Sequence, residues 1–202
     1  MYLYGASGHA KVIIDSLKAS GMMVSGLFDD NPDIKTLLDY TVFGSFDTKR
    51  LGNDELIISV GLNNIRKKIV DKLPLDIPYG RAIHPSAIIS GYASVGKGTV
   101  VMQGAIIQAS AIISKHCIIN TGASVDHDCH MDDFVHISPH ATLCGNVSIG
   151  EGSWIAAGAI IIPGVKIGKW CVVGAGSVVT KDIPDYSLAA GNRCKVIKKI
   201  DL

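Results

Sequence analysis

The spacing of hydrophobic residues changes near Ala82. Before it, short apolar runs predict strands and segments with one apolar face predict helices. The predicted strands span residues 1–4, 23–28 and 55–60, and the predicted helices span residues 11–20 and 65–73. Alternating strands and helices are typical of a parallel sheet that binds ligands at the carboxyl ends of its strands. We therefore predict a small Rossmann-like α/β domain over residues 1–82.

From Ile83 onward, the chain repeats every six residues. The first residue is aliphatic or Met in all seventeen hexads, and the fifth is Ala, Ser, Thr, Cys or Val in sixteen of them. Such periodicity is typical of β-helices, whose stacked coils bury one continuous core. Three hexads make a triangular coil, so the first position should point inward and the fifth should fill a corner. Residues 83–202 are therefore predicted to form a parallel β-helix, with an amphipathic tail at 196–200.

Charge and cysteine content exclude several classes of protein. The chain has 19 Lys+Arg and 18 Asp+Glu, and its only dense cationic stretch is Arg66 to Lys68, so nucleic acid is not an expected partner. The sequence has no run of eighteen apolar residues, so we expect no membrane span. The cysteines number five, without a C-x-x-C pair, and Met1 is not followed by a signal-like segment. These features favour the reducing cytoplasm.

Three separated motifs resemble one protein family. They are Tyr-Gly-Ala-Ser-Gly-His at 4–9, Val-Gly-Leu-Asn-Asn-Ile-Arg-Lys-Lys at 60–68 and Val-Asp-His-Asp-Cys at 125–129. With the hexads, they resemble the bacterial hexapeptide transferases, which are left-handed β-helix acyltransferases. The branch is the sialic acid O-acetyltransferase type, which includes N-acetyltransferases of UDP-4-amino-4,6-dideoxy sugars. The resemblance implies left-handed coils, acetyl-CoA as cosubstrate and a homotrimer. Trp154 and Trp170, at outward positions, agree with subunit contacts.

His127 is the candidate general base. It occupies a third position, so it should point outward between the inward-facing Val125 and Cys129. A neutral imidazole can accept a proton from an attacking amine or hydroxyl. Asp126 and Asp128 flank it, and a carboxylate on the far ring nitrogen would fix the tautomer; the family places its acid after the histidine, which favours Asp128. The alternative is a solvated surface histidine.

The resemblance also assigns residues to the coenzyme. Gly145 lies eighteen residues after His127, one coil further on, where its backbone N–H could meet a thioester carbonyl. Ala157 and Ala175 match family positions along the coenzyme groove, and His136 matches a histidine linked to acetyl-CoA binding. His136 lies half a coil from His127, so within one subunit the two should be on different parts of the triangle. A neighbouring subunit would have to bring its own His136 next to His127. Its alternative role is that of an exposed polar residue.

A nucleotide-sugar site is expected in the first domain. Ser7, Gly8 and His9 precede the first predicted helix, whose N-terminus suits an anion. In the family, this turn and the acids after the second strand hold UDP; the matching residues are Asp29 and Asp30, with Asn63 and Asn64 nearby. A nicotinamide dinucleotide would also use such an acid, but the third Gly of its motif is missing. A purely structural turn is the other alternative.

Two further features qualify these assignments. A possible metal site would use His127, Asp128, Cys129, His130, His136 and His140, since His and Cys are the usual zinc ligands. The hexad register directs Cys129 inward and His127 outward, so we expect no metal. Near the end of the chain, Gly191 to Lys195 departs from the family's Gly-x-Pro-Ala-Lys. Arg193 in this segment could contact a coenzyme phosphate.

The first hypothesis is an enzyme that transfers acetyl from acetyl-CoA to the 4-amino group of a UDP-4-amino-4,6-dideoxy sugar. Attack is direct, with His127 as base and no acyl-enzyme. A second hypothesis keeps the fold but makes a hydroxyl the acceptor, as in sialic acid O-acetylation. A third is an inactive β-helix that only binds a nucleotide sugar; His127 with its flanking acids argues against it. The same base would serve amine and hydroxyl, so the sequence leaves both open.

Overall fold

The first domain is a three-layer α/β unit in the computed structural model, which describes residues 1–200. Residues 201 and 202, at the end of the predicted second domain, lie outside the described residues. Strands β1 (Tyr2–Tyr4), β2 (Gly26–Phe28) and β5 (Leu56–Ile58) form a parallel sheet in the order β2-β1-β5. The elements are β1 (Tyr2–Tyr4), α1 (Gly8–Ala19), β2 (Gly26–Phe28), β3 (Thr36–Leu37), β4 (Tyr40–Thr41), α2 (Thr48–Leu51), β5 (Leu56–Ile58) and α3 (Asn63–Lys72).

Both long helices begin earlier than the sequence pattern predicts. Helix α1 includes Gly8 and His9, and Ser7 is its N-cap residue. Helix α3 begins at Asn63, so both asparagines lie in its first turn instead of preceding it. The hydrophobic periodicity starts only where the helix meets the core, and this explains the late predicted starts.

The second part is a parallel β-helix with three faces. Each face stacks two-residue strands at intervals of eighteen residues. The first face holds β6 (Ala82–Ile83), β9 (Val100–Val101), β12 (Ile118–Ile119), β15 (His136–Ile137), β18 (Trp154–Ile155) and β21 (Val172–Val173). The second holds β7 (Ile88–Ile89), β10 (Ile106–Ile107), β13 (Ser124–Val125), β16 (Thr142–Leu143), β19 (Ile160–Ile161) and β22 (Val178–Val179). The third holds β8 (Ser94–Val95), β11 (Ile112–Ile113), β14 (His130–Met131), β17 (Ser148–Ile149) and β20 (Lys166–Ile167).

The hexad register is confirmed by the burial of its first and fifth positions. First-position residues such as Val125 and Leu143 are fully buried in the core, and fifth-position residues such as Cys129 and Ala141 are also buried. Small residues are needed there because the chain turns a corner at that point and leaves little volume. After the repeat, β23 (Ser187–Ala190) extends the first face, and the predicted tail forms β24 (Lys195–Lys199), which pairs antiparallel with β23.

The α/β domain packs against the first face of the β-helix. Residues of β1 and α1 share one hydrophobic core with Ala82, Val100, Met102 and Ile118. Beside this core, Arg66 of α3 is only 1% exposed. Its guanidinium donates to the backbone carbonyls of His116 and Phe134, at 2.8 and 2.9 Å. Polar and apolar contacts together therefore fix the two parts against each other.

Within residues 1–200, the structure has no helix that is long and apolar enough to cross a bilayer.

Candidate active site

His127 lies in the turn between β13 of the second face and β14 of the third. Strand alternation sends Val125 inward, and the buried Cys129 closes the corner, so the imidazole between them points outward with 61% of its side chain exposed. Its Nδ1 lies 2.8 Å from Oδ2 of Asp128. This contact leaves Nε2 as the nitrogen that can accept a proton.

The two flanking carboxylates have different contacts. Oδ1 of Asp126 accepts the backbone N–H of His127 at 2.8 Å, so this acid stabilises the turn. Asp128 adopts a left-handed backbone with φ of 59°, a conformation that Asp tolerates better than most residues. The hydrogen bond to Asp128, followed by the charge of Asp126, raises the pKa of His127 above its usual value.

Gly145 lies one coil beyond His127. Within residues 1–200, its backbone N–H has no hydrogen-bond acceptor, and the same holds for Ala157 and Ala175 at the neighbouring corner. Next to these alanines, Gly158 and Gly176 have open space where side chains would stand. Free N–H donors beside a row of small residues can hydrogen-bond amide and thioester oxygens, which a pantetheine arm carries.

The turn after β1 presents a free helix N-terminus. Ser7 and Gly8 are exposed, and the Ser7 side chain makes no capping hydrogen bond, so the first-turn N–H groups of α1 remain available to an anion. Asp29 accepts the backbone N–H of Ala6 at 2.7 Å and that of Asn31 at 2.9 Å. Asp29 thus shapes the turn with both carboxylate oxygens.

Asp30 has spare hydrogen-bonding capacity. Its Oδ1 accepts the hydroxyl of Tyr4 at 2.8 Å, while Oδ2 has no protein donor among the described residues. Asp30 is exposed at the end of β2. Of the two acids predicted to bind the nucleotide sugar, Asp30 is therefore the one with an oxygen free for a ligand.

His9 and His136 meet where the two parts of the chain touch. Their ring centroids are 6.4 Å apart, and burial lowers the pKa of His9 to about 4 and that of His136 to about 3. Both rings are therefore neutral near pH 7. His136 lies within 3.2 Å of the Asn120 amide and stacks on Trp154. A sixth position points out of the coil, but the α/β domain covers this one, so His136 is only 8% exposed.

Asn63 and Asn64 make contacts that the sequence did not predict. The Asn63 amide donates to the carbonyls of Gly152 and Ser153 at 3.0 and 3.2 Å and accepts from Arg66 at 2.8 Å. Oδ1 of Asn64 accepts the N–H of Ile65 within α3. Asn63 therefore joins the two parts of the chain, and its amide is not free for a nucleotide.

The structure separates the predicted residues into three groups. His127, Asp126, Asp128 and Gly145 lie together at the corner between the second and third faces, whereas His9 and His136 lie at the first face. Ala157 and Ala175 occupy the corner between the first and second faces, and Arg193 is exposed beyond them. Among residues 1–200, no group of three or more His, Cys, Asp or Glu is placed to hold a metal ion.

Comparisons with known proteins agree with this architecture. The PglD N-terminal domain family matches residues 1–73, and the bacterial transferase hexapeptide family matches residues 146–181. PerB from Caulobacter crescentus, solved with CoA and GDP-perosamine, is 39% identical with a TM-score of 0.91, and the match covers 98% of this chain and 96% of PerB. This chain belongs to the bacterial hexapeptide transferase family. The predicted α/β domain followed by a left-handed β-helix of hexapeptide repeats is thus confirmed.

The likeness extends to other proteins described as acetyltransferases. The acetyltransferase domain of PglB from Neisseria gonorrhoeae, in complex with acetyl coenzyme A, is 36% identical with a TM-score of 0.88, and the match covers 97% of this chain and 98% of that domain. Curated relatives match over shorter lengths. A Staphylococcus aureus protein is 49% identical over 72 residues, so the match spans about a third of that relative, 36% of its length.

Proposed function

We propose that this hexapeptide transferase moves an acetyl group from acetyl-CoA to the 4-amino group of a nucleotide-linked 4-amino-4,6-dideoxy sugar. The observation that carries the proposal is the His127–Asp128 pair beside the unpartnered N–H of Gly145. The likeness to PerB, over nearly the full length of both chains, supports a nucleotide sugar with an amine as acceptor. We expect UDP as the nucleotide of the acceptor sugar. A GDP-linked sugar, like the GDP-perosamine bound in PerB, should be tested beside it.

The geometry supports direct transfer. Nε2 of His127 removes a proton as the acceptor nitrogen forms its bond to the thioester carbonyl carbon. In this proposal, the Gly145 N–H stabilises the negative charge that develops on the carbonyl oxygen. The C–S bond then breaks, and the sulfur takes the proton from the imidazolium and leaves as the CoA thiol. Asp128 holds the imidazole throughout and stabilises its charged form.

A homotrimer would complete the site. The proposed nucleotide site, formed by the turn after β1 and Asp30, is here called the nucleotide crevice. In one chain, it belongs to the domain that packs on the first face, whereas His127 lies at the far edge of the second face. That second face presents apolar side chains to solvent, including Ile88 at 65% and Ile160 at 41% exposure. A closed cyclic assembly would bury this surface and bring His127 of one subunit to the crevice of another. Light scattering should give the mass of three chains, and a stable active monomer would contradict the proposal.

A cytoplasmic location is part of the proposal. All five cysteines are free in the structure, which is typical of proteins from reducing compartments.

The function is tested by following thiol release from acetyl-CoA with a panel of acceptors. We expect the fastest release with a UDP-4-amino-4,6-dideoxy sugar, slower release with its GDP counterpart and none with the 4-hydroxy analogue. Mass spectrometry of the product should show an added acetyl group on nitrogen. Faster release with sialic acid or another sugar hydroxyl would favour the O-acetyltransferase alternative, and no release with any acceptor would favour an inactive binding protein.

Asp30→Ala should raise the KM for the acceptor sugar about tenfold, because a charge-assisted hydrogen bond contributes roughly 1.5–3 kcal/mol. The KM for acetyl-CoA should not change. Asp47→Ala is a matched control, since Asp47 is an acid at a helix start in the same domain. Asp29→Ala should instead damage the turn after β1 and lower thermal stability. An unchanged acceptor KM in Asp30→Ala would remove this residue from the site.

A further inference from the structure

Gly145 has a second relationship with His127 besides its free N–H. A Cβ atom built on Gly145 would lie 2.6 Å from both Cε1 and Nε2 of the imidazole. Carbon and nitrogen atoms cannot approach so closely without repulsion, so the ring rests where a side chain would otherwise stand. Gly145 does not use a left-handed backbone conformation. Its backbone would therefore accept alanine, and the steric conflict would fall on the ring.

Three other rings in the β-helix also rest on glycines, but in the opposite direction. His116 lies on Gly98, His140 on Gly122 and Trp170 on Gly152, and in each pair the glycine comes eighteen residues before the ring. His127 is different because its glycine comes eighteen residues after it. The imidazole therefore leans toward the C-terminal coils, where the free N–H of Gly145 lies.

We propose that Gly145 is a positioning residue for the base, through the side chain that it lacks. Asp128 fixes the Nδ1 side of the imidazole at 2.8 Å, and Nε2 lies where a Cβ atom of residue 145 would stand, next to the Gly145 backbone. The proton acceptor and the oxyanion donor are thereby held side by side at the same corner, on successive coils. This inference rests on the proposed function of His127 as base.

Gly145→Ala separates this role from that of the backbone donor, because alanine keeps the N–H and adds only a methyl group. We expect kcat to fall about 10- to 100-fold, since a displacement of about 1 Å can cost 10²-fold in rate. The KM for acetyl-CoA should change little. As the ring leaves Asp128, the pKa of His127 should fall toward its usual value of about 6.5. NMR titration of the His127 ring protons measures this shift without relying on activity.

Gly91→Ala is the matched control. Gly91 occupies the third position of the same corner, three coils before Gly145, and a Cβ atom there would meet nothing within 4 Å. In Gly91→Ala, both kcat and the pKa of His127 should equal the wild-type values. In the His127→Ala background, Gly145→Ala should have no further effect on kcat.

The outcomes distinguish the two proposals. Full activity of His127→Ala would overturn the proposed base and with it this inference. An inactive His127→Ala together with a fully active Gly145→Ala, with unchanged His127 titration, would overturn only the positioning role. A further loss from Gly145→Ala in the His127→Ala background would mean that the methyl group blocks the substrate directly, and this also contradicts the inference.

Discussion

His127→Ala should lower kcat by about 10²- to 10⁴-fold, the range that a general base supplies, while the protein stays folded. The fold should persist because the side chain is 61% exposed and contributes nothing to the buried core. Both KM values should change much less than kcat, since the proposed role of the imidazole is in the transition state. Steady-state kinetics by thiol release, with circular dichroism on the same samples, measures both quantities.

The pH dependence provides the control for this prediction. Only the neutral imidazole can accept a proton, so wild-type kcat/KM should fall as pH drops through the His127 pKa, which Asp128 raises. Asp128→Asn removes the charge and should move this acid limb to lower pH. Residual activity of His127→Ala should lack the limb altogether. If His127→Ala keeps wild-type turnover with its acceptor, the base lies elsewhere.

Arg66→Met should lower the free energy of unfolding by about 3 kcal/mol or more, because it breaks a buried hydrogen-bond network. The guanidinium also donates to the carbonyls of Val60 and Gly61, at 3.0 and 3.3 Å. Methionine fills similar volume but cannot donate, so acceptors on both parts of the chain would lose their partner. Burial lowers the pKa of Arg66 to about 10, which still leaves it charged at neutral pH.

Urea unfolding followed by tryptophan fluorescence measures this loss. Lys68→Met is the matched control, because Lys68 lies on the same helix but is exposed. Its free energy of unfolding should change by less than about 0.5 kcal/mol. Equal stability of Arg66→Met and Lys68→Met would show that the network contributes little to joining the α/β domain to the β-helix.

The sequence predicted what depends on contacts within a coil. First and fifth positions of each hexad face the core and third positions face away, so the hexads alone established that Val125 points inward and His127 outward. These orientations follow from local geometry that repeats every six residues. The neighbour on Nδ1 does not: the residues alone left Asp126 and Asp128 open, and only the family resemblance, which places its acid after the histidine, favoured Asp128.

Features that depend on how the two parts meet were not predictable in this way. Arg66 belongs to the densest cationic stretch of the sequence, yet it is buried, because its acceptors lie 50 and 68 residues further along the chain. The hexad periodicity predicts which side chains point out of a coil but not which other part of the chain packs over them. The burial of His136 could therefore not be deduced. Asn63 follows a strand and precedes a helix, where a ligand-binding asparagine is expected, but its amide donates to carbonyls of the β-helix.

The carbonyls held by α3 have a consequence for the order of events during synthesis. His116, Phe134 and Gly152 occupy the same corner of three successive coils, and the donors that reach them belong to Arg66 and Asn63. Both donors leave the ribosome before any of these coils. A folded N-terminal domain can therefore act as a template on which the middle coils close first. The opening coil, whose Ile83 and Ile89 remain partly exposed, need not nucleate the solenoid.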